Sequence, residues 1–197
     1  MNAPFKTPPA VSAEPPLWDL SDLYASREDA AIAADVARGK AVVAELGALQ
    51  GRLVEARSDA ALLGERLDRA ISLYEQASEV LGGLGAYAFL AASTARDDAA
   101  ANGFEADIRE QLTAVSTPTV WLTLGINQLE AAEIEAALSA SEAAAKWRPW
   151  LRRVRAMKPH ELSEQLETFL AEHGPIAAQW PRLFDETLAA LRVKADR

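Results

Sequence analysis

A chain of 197 residues with 29 acidic and 20 basic side chains carries a formal net charge of −9, and such a field repels phosphate backbones and anionic lipid, which argues against nucleic-acid and membrane partners. The absence of cysteine removes disulfides, thiolate metal sites and cysteine nucleophiles together and suits a reducing cytoplasm. Half of the residues are hydrophobic, much of that Ala and Leu, which lose little rotamer freedom in a helix; a chain of this size can withdraw about 70% of its unfolded surface from water.

The leader, residues 1–16, holds five of the ten prolines and reads as flexible or polyproline-like, because each proline lacks an amide donor and disfavours helix before it. It has a single Lys and no apolar run of signal-peptide length, and nowhere does the chain offer about 18 uncharged apolar residues in a row. A soluble, cytoplasmic protein is expected, with one helical domain over 17–197. Trp18, Leu20, Leu23 and Tyr24 set large apolar groups beside Asp19, Ser21 and Asp22, as in a packed anchor that leads into a helix.

Ser26 with Asp29 three residues on resembles a capping box, and a first helix is expected over Arg27–Ala56. Its stripe is Ile32, Val36, Val43, Leu46, Leu49 and Leu53. Ser58 should cap a second helix, on which Leu63, Leu67, Ala70, Tyr74, Ala77, Leu81, Leu84 and Ala88 alternate steps of four and three. That period, near 3.5, predicts antiparallel packing of long helices at a shallow angle. Gly82, Gly83 and Gly85 interrupt it, each at a cost of roughly 1 kcal/mol against Ala, and a close helix crossing or a kink is the expected compensation. A phosphate loop would need a preceding strand and a recognised spacing.

Asp97 or Asp98 can start a third helix with a stripe of Phe104, Ile108, Leu112, Val115, Thr119, Leu122, Ile126 and Leu129. Pro118 should bend or break it near Ser116–Thr119, and Trp121 beyond it reads as core. Glu130–Ala145 is helix-prone but thinly apolar, a short exposed helix and connector. Pro149 suits the first turn of the next helix, with Trp150, Leu151, Val154 and Met157 on one face and Arg148, Arg152 and Arg155 on the other. Pro159 should restart the chain into a helix lined by Leu162, Leu166, Phe169 and Leu170 and ended by Gly174-Pro175. The fold class is therefore all-α, long antiparallel helices in a bundle or helical-hairpin array.

Two stretches approach a site. His160-Glu161-Leu162-Ser163-Glu164 resembles the start of a zinc-peptidase helix, but such a helix needs histidines four residues apart on one face. Glu164 stands at the second position and His173, the other histidine of the chain, comes far later, so the reading is structural. The basic aromatic run of Lys146, Arg148, Arg152, Arg153, Arg155 and Lys158 with Trp147 and Trp150 has the residue types that stack and hold single strands. The Glu-rich neighbouring helix supplies partners for those cations, so an internal charge network with the Trp rings as core anchors is the preferred reading. Binding of peptide carboxylates or of a second domain comes next. No G-x-S-x-G elbow or carboxylate pair assembles a hydrolase site, and no catalytic, cofactor-binding or metal residue is assigned.

Three landmarks carry a resemblance. WDLSDLY at Trp18–Tyr24, LGAYAFLAASTARDD at Leu84–Asp98, and RAMKPHELSEQLETFLA from Arg155 followed by WPRLFDETLAAL from Trp180 stand in an order and spacing similar to the N-terminal part of oligoendopeptidase F, a bacterial zinc peptidase related to thimet oligopeptidase. The resemblance implies a helical front portion that walls a channel for oligopeptides, with the zinc, its H-E-x-x-H helix and the general base in a catalytic domain further along. The implied partners are an oligopeptide substrate and that catalytic domain, with self-association of the front portion possible in its absence; this chain would carry no cofactor and be inactive alone. The alternative from another class is a stand-alone helical adaptor or interaction domain.

Overall fold

A computed structural model describes residues 18–192, so the Pro-rich leader lies outside the described residues. Every regular element among those described is helical. Ten α-helices follow in order: α1 Ala30–Gly47, α2 Arg52–Glu55, α3 Ala60–Thr94, α4 Ala99–Ser116, α5 Trp121–Gln128, α6 Ala131–Ala140, α7 Glu142–Ala145, α8 Arg148–Met157, α9 Glu164–Ala177 and α10 Gln179–Ala190. Short 3-10 turns at Thr117–Thr119 and Lys158–His160 stand between α4 and α5 and after α8.

The 35-residue α3, about 52 Å long at 1.5 Å per residue, runs through both halves of the core. Toward its N-terminal end Leu63, Leu67, Ala70 and Ile71 pack with Leu46, Leu53, Leu122, Ile126, Leu138 and Leu151. Toward its C-terminal end Leu81, Leu84, Tyr87 and Ala88 pack with Tyr24, Ile32, Val36, Val43 and Ile108. The cross-helix pairs fix the directions. Arg69 meets Glu45 and Leu81 lies under Gly39, so α1 is antiparallel to α3; Arg96 meets Glu105 and Gly85 faces Leu112, so α4 is too. Helix α6 instead runs the same way as α3, Arg57 meeting Glu133 and Gly64 facing Ala137 and Ser141.

The expected stripes are met: every named position on α3 is buried except Tyr74, which is half-buried. The caps shift by one to three residues. Asp29, not Ser26, caps α1, its Oδ1 accepting from the Ala31 amide at 2.9 Å and its Oδ2 from the Ala25 amide at 3.0 Å, so one carboxylate closes the turn on both sides. Asp59, not Ser58, caps α3 by accepting from the Leu62 amide at 3.0 Å. Asp98 caps α4 as expected, accepting from Ala100 at 2.8 Å. Their donors hold the Asp29 and Asp98 carboxyls below the usual range, the Ala31 and Ala100 amides first in each case and Arg27 adding at Asp98.

The single long first helix expected over Arg27–Ala56 is two. Gly51 adopts φ +80°, a left-handed conformation open to glycine, and the turn brings fully buried Leu53 back beside Leu46 and Leu63. Tyr24 is the residue of the opening landmark that anchors. Its ring meets Tyr87 edge-on at 5.0 Å, its hydroxyl donates to Asp35 at 2.8 Å, and burial first and the Asp35 contact next push that hydroxyl up to about 12. Trp18, expected to pack, is 67% exposed.

The glycine expectation is corrected at two positions and met at the third. An added Cβ at Gly82 or Gly83 would meet no neighbouring atom and α3 runs through them unbroken, whereas at Gly85 it would lie 3.2 Å from a Leu112 methyl of α4. A closer crossing is at Gly64, where an added Cβ would sit 2.6 Å from the Ser141 Cβ and 2.8 Å from the Ala137 carbonyl oxygen. Because Gly64 admits it, α6 buries Ile134, Ala137 and Leu138 and is no exposed connector. Pro118 breaks α4 from α5 as expected, inside the 3-10 turn. Pro175 does not end its helix; α9 carries it within the last turn and reaches Ala177.

The middle landmark is the α3–α4 corner. Glu105, 4% exposed, accepts from Arg96 at 3.0 Å and is paired with Arg109, while the Asn102 amide donates to the Arg96 carbonyl at 2.8 Å. A carboxylate taken from water needs such partners.

Two stability outcomes follow. Gly64→Ala should destabilise the protein by about 1–3 kcal/mol through overpacking against backbone, whereas Gly82→Ala should stabilise it by roughly 0.5–1 kcal/mol through helix propensity; urea unfolding followed by circular dichroism separates them, and equal shifts would refute the close crossing at Gly64. Glu105→Ala should cost about 2–3 kcal/mol, below the range for a fully buried pair because both arginines can turn to water; a midpoint unchanged from the parent in the same titration would show that the corner does not depend on this carboxylate.

Candidate functional site

His160 and Glu164 share no helix. Lys158-Pro159-His160 forms the 3-10 turn, Glu161 to Ser163 are extended, and Ser163 caps α9 through its hydroxyl on the Leu166 amide at 3.4 Å. Pro159 therefore belongs to a turn and not to a helix start. Glu161 accepts from the buried Asn127 amide, which also donates to the Val154 carbonyl at 3.3 Å, so this carboxylate ties α5 to the end of α8. His173 stacks on Phe169 with centroids 3.9 Å apart and contacts the Phe169 carbonyl at 2.8 Å. Among the described residues no three His, Asp or Glu side chains converge as a metal would need, so the residues present do not fit a zinc ion.

The basic aromatic run becomes partly a charge network. Arg148 pairs with Glu135 on α6, and Lys146 pairs with Asp68 on α3 at 3.1 Å. Arg155, expected on the solvent face, turns inward and donates to the Leu129 carbonyl at 2.9 Å. That bond satisfies the carbonyl left open where α5 ends. Arg152, Arg153 and Lys158 make no ion pair among the described residues. Met157, expected with the apolar face, is 56% exposed.

The two rings of this run stand against α3. The Trp147 indole donates to Asp68 at 2.8 Å, and Trp150 lies tilted against Tyr74 with centroids 5.8 Å apart. The Tyr74–Trp150 pair is a ridge between two clefts. One, of about 660 Å³, is bounded by Trp147 and by Glu75 and Glu79 of α3. The other, of about 470 Å³, runs over Leu124, Met157 and His160 and carries Arg153, Glu161 and Glu167. Both fall in the size range of ligand clefts. From sequence the rings were visible and their carboxylate neighbours were not, because Glu75 and Glu79 lie on a helix some seventy residues earlier.

The last two helices carry many of the exposed large apolar side chains of the described residues. Neither α9 nor α10 buries a single residue, yet Leu166, Phe169 and Leu170 on the first and Trp180, Leu183 and Phe184 on the second follow helical spacing. Trp180 is 74% exposed. Contacts of α9 with α4 and the Thr117–Thr119 turn hold the pair beside the bundle. No helix of the described residues is long and apolar enough to cross a membrane.

No curated protein and no solved structure matches the chain. A family model described as Oligopeptidase F does, over residues 126–192, less than half of the chain but including the third landmark and all of α6 to α10. The opening and middle landmarks lie outside that match. The helical architecture, the third landmark and the family match agree that residues 126–192 are similar to the N-terminal portion of the oligopeptidase F family.

Proposed function

We propose that this chain is the non-catalytic N-terminal part of a zinc metalloendopeptidase acting on oligopeptides, and that it forms a wall of the substrate channel. The observation that carries the reading is the open apolar face of α9 and α10, which falls within the residues that match the family model. A helix pair with no fully buried residue that keeps an exposed stripe of Leu, Phe and Trp is built to be covered. The occupant is the catalytic part of the peptidase, which would supply the zinc, the attacking water and the general base. Residues 17–197 act as one helical domain in this role, in the cytoplasm, and residues 1–16 as a flexible leader. Without the catalytic part the same face is offered to a second copy of the chain.

The 197-residue chain should show no zinc-dependent hydrolysis of quenched oligopeptides, and it should bind a separately produced oligopeptidase F catalytic part. Trp180→Glu with Leu183→Glu should weaken that complex by tenfold or more. Metal-dependent turnover that disappears on His160→Ala would overturn the non-catalytic assignment. A complex indifferent to the double substitution, or a strictly monomeric chain that binds no hydrophobic dye, would overturn the assignment of the face.

A further inference from the structure

The larger of the two clefts has a composition that the peptidase reading does not explain. Tyr74, Trp147 and Trp150 line it together with Glu75 and Glu79, and its volume is about 660 Å³. Glu75 and Glu79 stand four residues apart on α3, where like charges repel one another across a helical turn. Both are exposed, and neither has an ion pair or hydrogen bond among the described residues. Asp68, also on α3 and bonded to the Trp147 indole, is by contrast engaged by Lys146. The cleft therefore holds two charges that the protein leaves uncompensated beside three aromatic rings.

Aromatic faces attract cations through their quadrupole, and the attraction grows when carboxylates stand beside them. The Trp147 ring already demonstrates this on its own chain, with the Lys146 ammonium 4.7 Å from its centroid. Its indole bond to Asp68 and the packing of Trp150 on Tyr74 fix the rings before any ligand arrives, which removes part of the ordering cost of binding. These rings could stack bases only in a basic groove, and here they share a cleft with two carboxylates that repel phosphate.

We propose that this cleft is a binding site for a positively charged side chain of a peptide, the guanidinium of Arg or the ammonium of Lys. The charged group sits between Glu75 and Glu79, and its aliphatic stem lies on the Tyr74, Trp147 and Trp150 rings. Cation recognition rests on the cleft alone; the proposed peptide-handling role enters only in making a peptide the carrier of the charge. The site would give the channel wall a preference for basic residues at one position of the substrate.

Calorimetric titration of the 197-residue chain tests this with three short apolar peptides alike except at the points named. The first is N-acetylated with one central Arg, the second N-acetylated with Gln in its place, and the third has that Gln and a free amine. The acetylated Arg peptide should bind saturably and about tenfold or more tightly than its Gln counterpart. Glu75→Gln with Glu79→Gln, both on the surface, should lose that advantage without lowering the thermal midpoint. Equal binding of the Arg and Gln peptides, no binding of either, or undiminished binding by the double variant would overturn the site. Binding only of the free-amine peptide would overturn the side-chain assignment in favour of a peptide N-terminus. The readout is affinity and not turnover, so a failed cation site leaves the docking test on α9 and α10 standing, and the reverse.

Discussion

Everything in this fold depends on one helix having enough apolar surface for two cores at once. Helix α3 carries a stripe whose first half is covered by α2, α5, α6 and α8 and whose second half is covered by α1, α4 and Tyr24. Tertiary packing of that stripe, more than helix propensity, supplies most of what holds it. The two clusters are linked through α1, since Val42 touches both. Loss of either cover would leave half of the stripe in water.

Small residues decide how closely the cover can lie. At Gly64 the α6–α7 junction comes to within contact of the α3 backbone, and a chain segment with few large side chains still buries Ile134 and Leu138. Polar ties then close the corners where helices reverse. Glu105 with Arg96 and Arg109 secures the α3–α4 turn, and Asn127 with Glu161 and Arg155 with Leu129 secure the end of α8 against α5. The first tie is local and the other two join segments far apart in sequence, each meeting a backbone or charge that would otherwise be stranded.

The surface divides by the same logic. Charges face water over most of the bundle, while apolar exposure is concentrated on α9 and α10 and in the clefts beside Tyr74 and Trp150. Much of the open apolar surface falls in the segment that matches the family model. In the cleft on the α3–α8 side the rings of Tyr74, Trp147 and Trp150 pack on the core, whereas Glu75 and Glu79 are exposed and make no tie among the described residues.

Much of the architecture was legible beforehand. The stripes on α1, α3 and α4 were readable because helical periodicity is a local property, and the break at Pro118 because a missing amide acts on its own turn. Asp98 as a cap was readable for the same reason. Asp29 and Asp59 displaced the serines beside them, a choice between adjacent residues that hydrogen-bond geometry makes and spacing does not. Gly64 and the reversal of Arg155 were invisible, since each depends on what arrives from tens of residues away. So does the candidate cleft: the sequence determined that Trp147 and Trp150 sit together on a helix, but only the tertiary structure set them against Glu75 and Glu79 and left the stripe of α9 and α10 uncovered. Periodicity states which face of a helix is apolar, whereas the identity of the opposing surface depends on long-range packing, which no local pattern encodes.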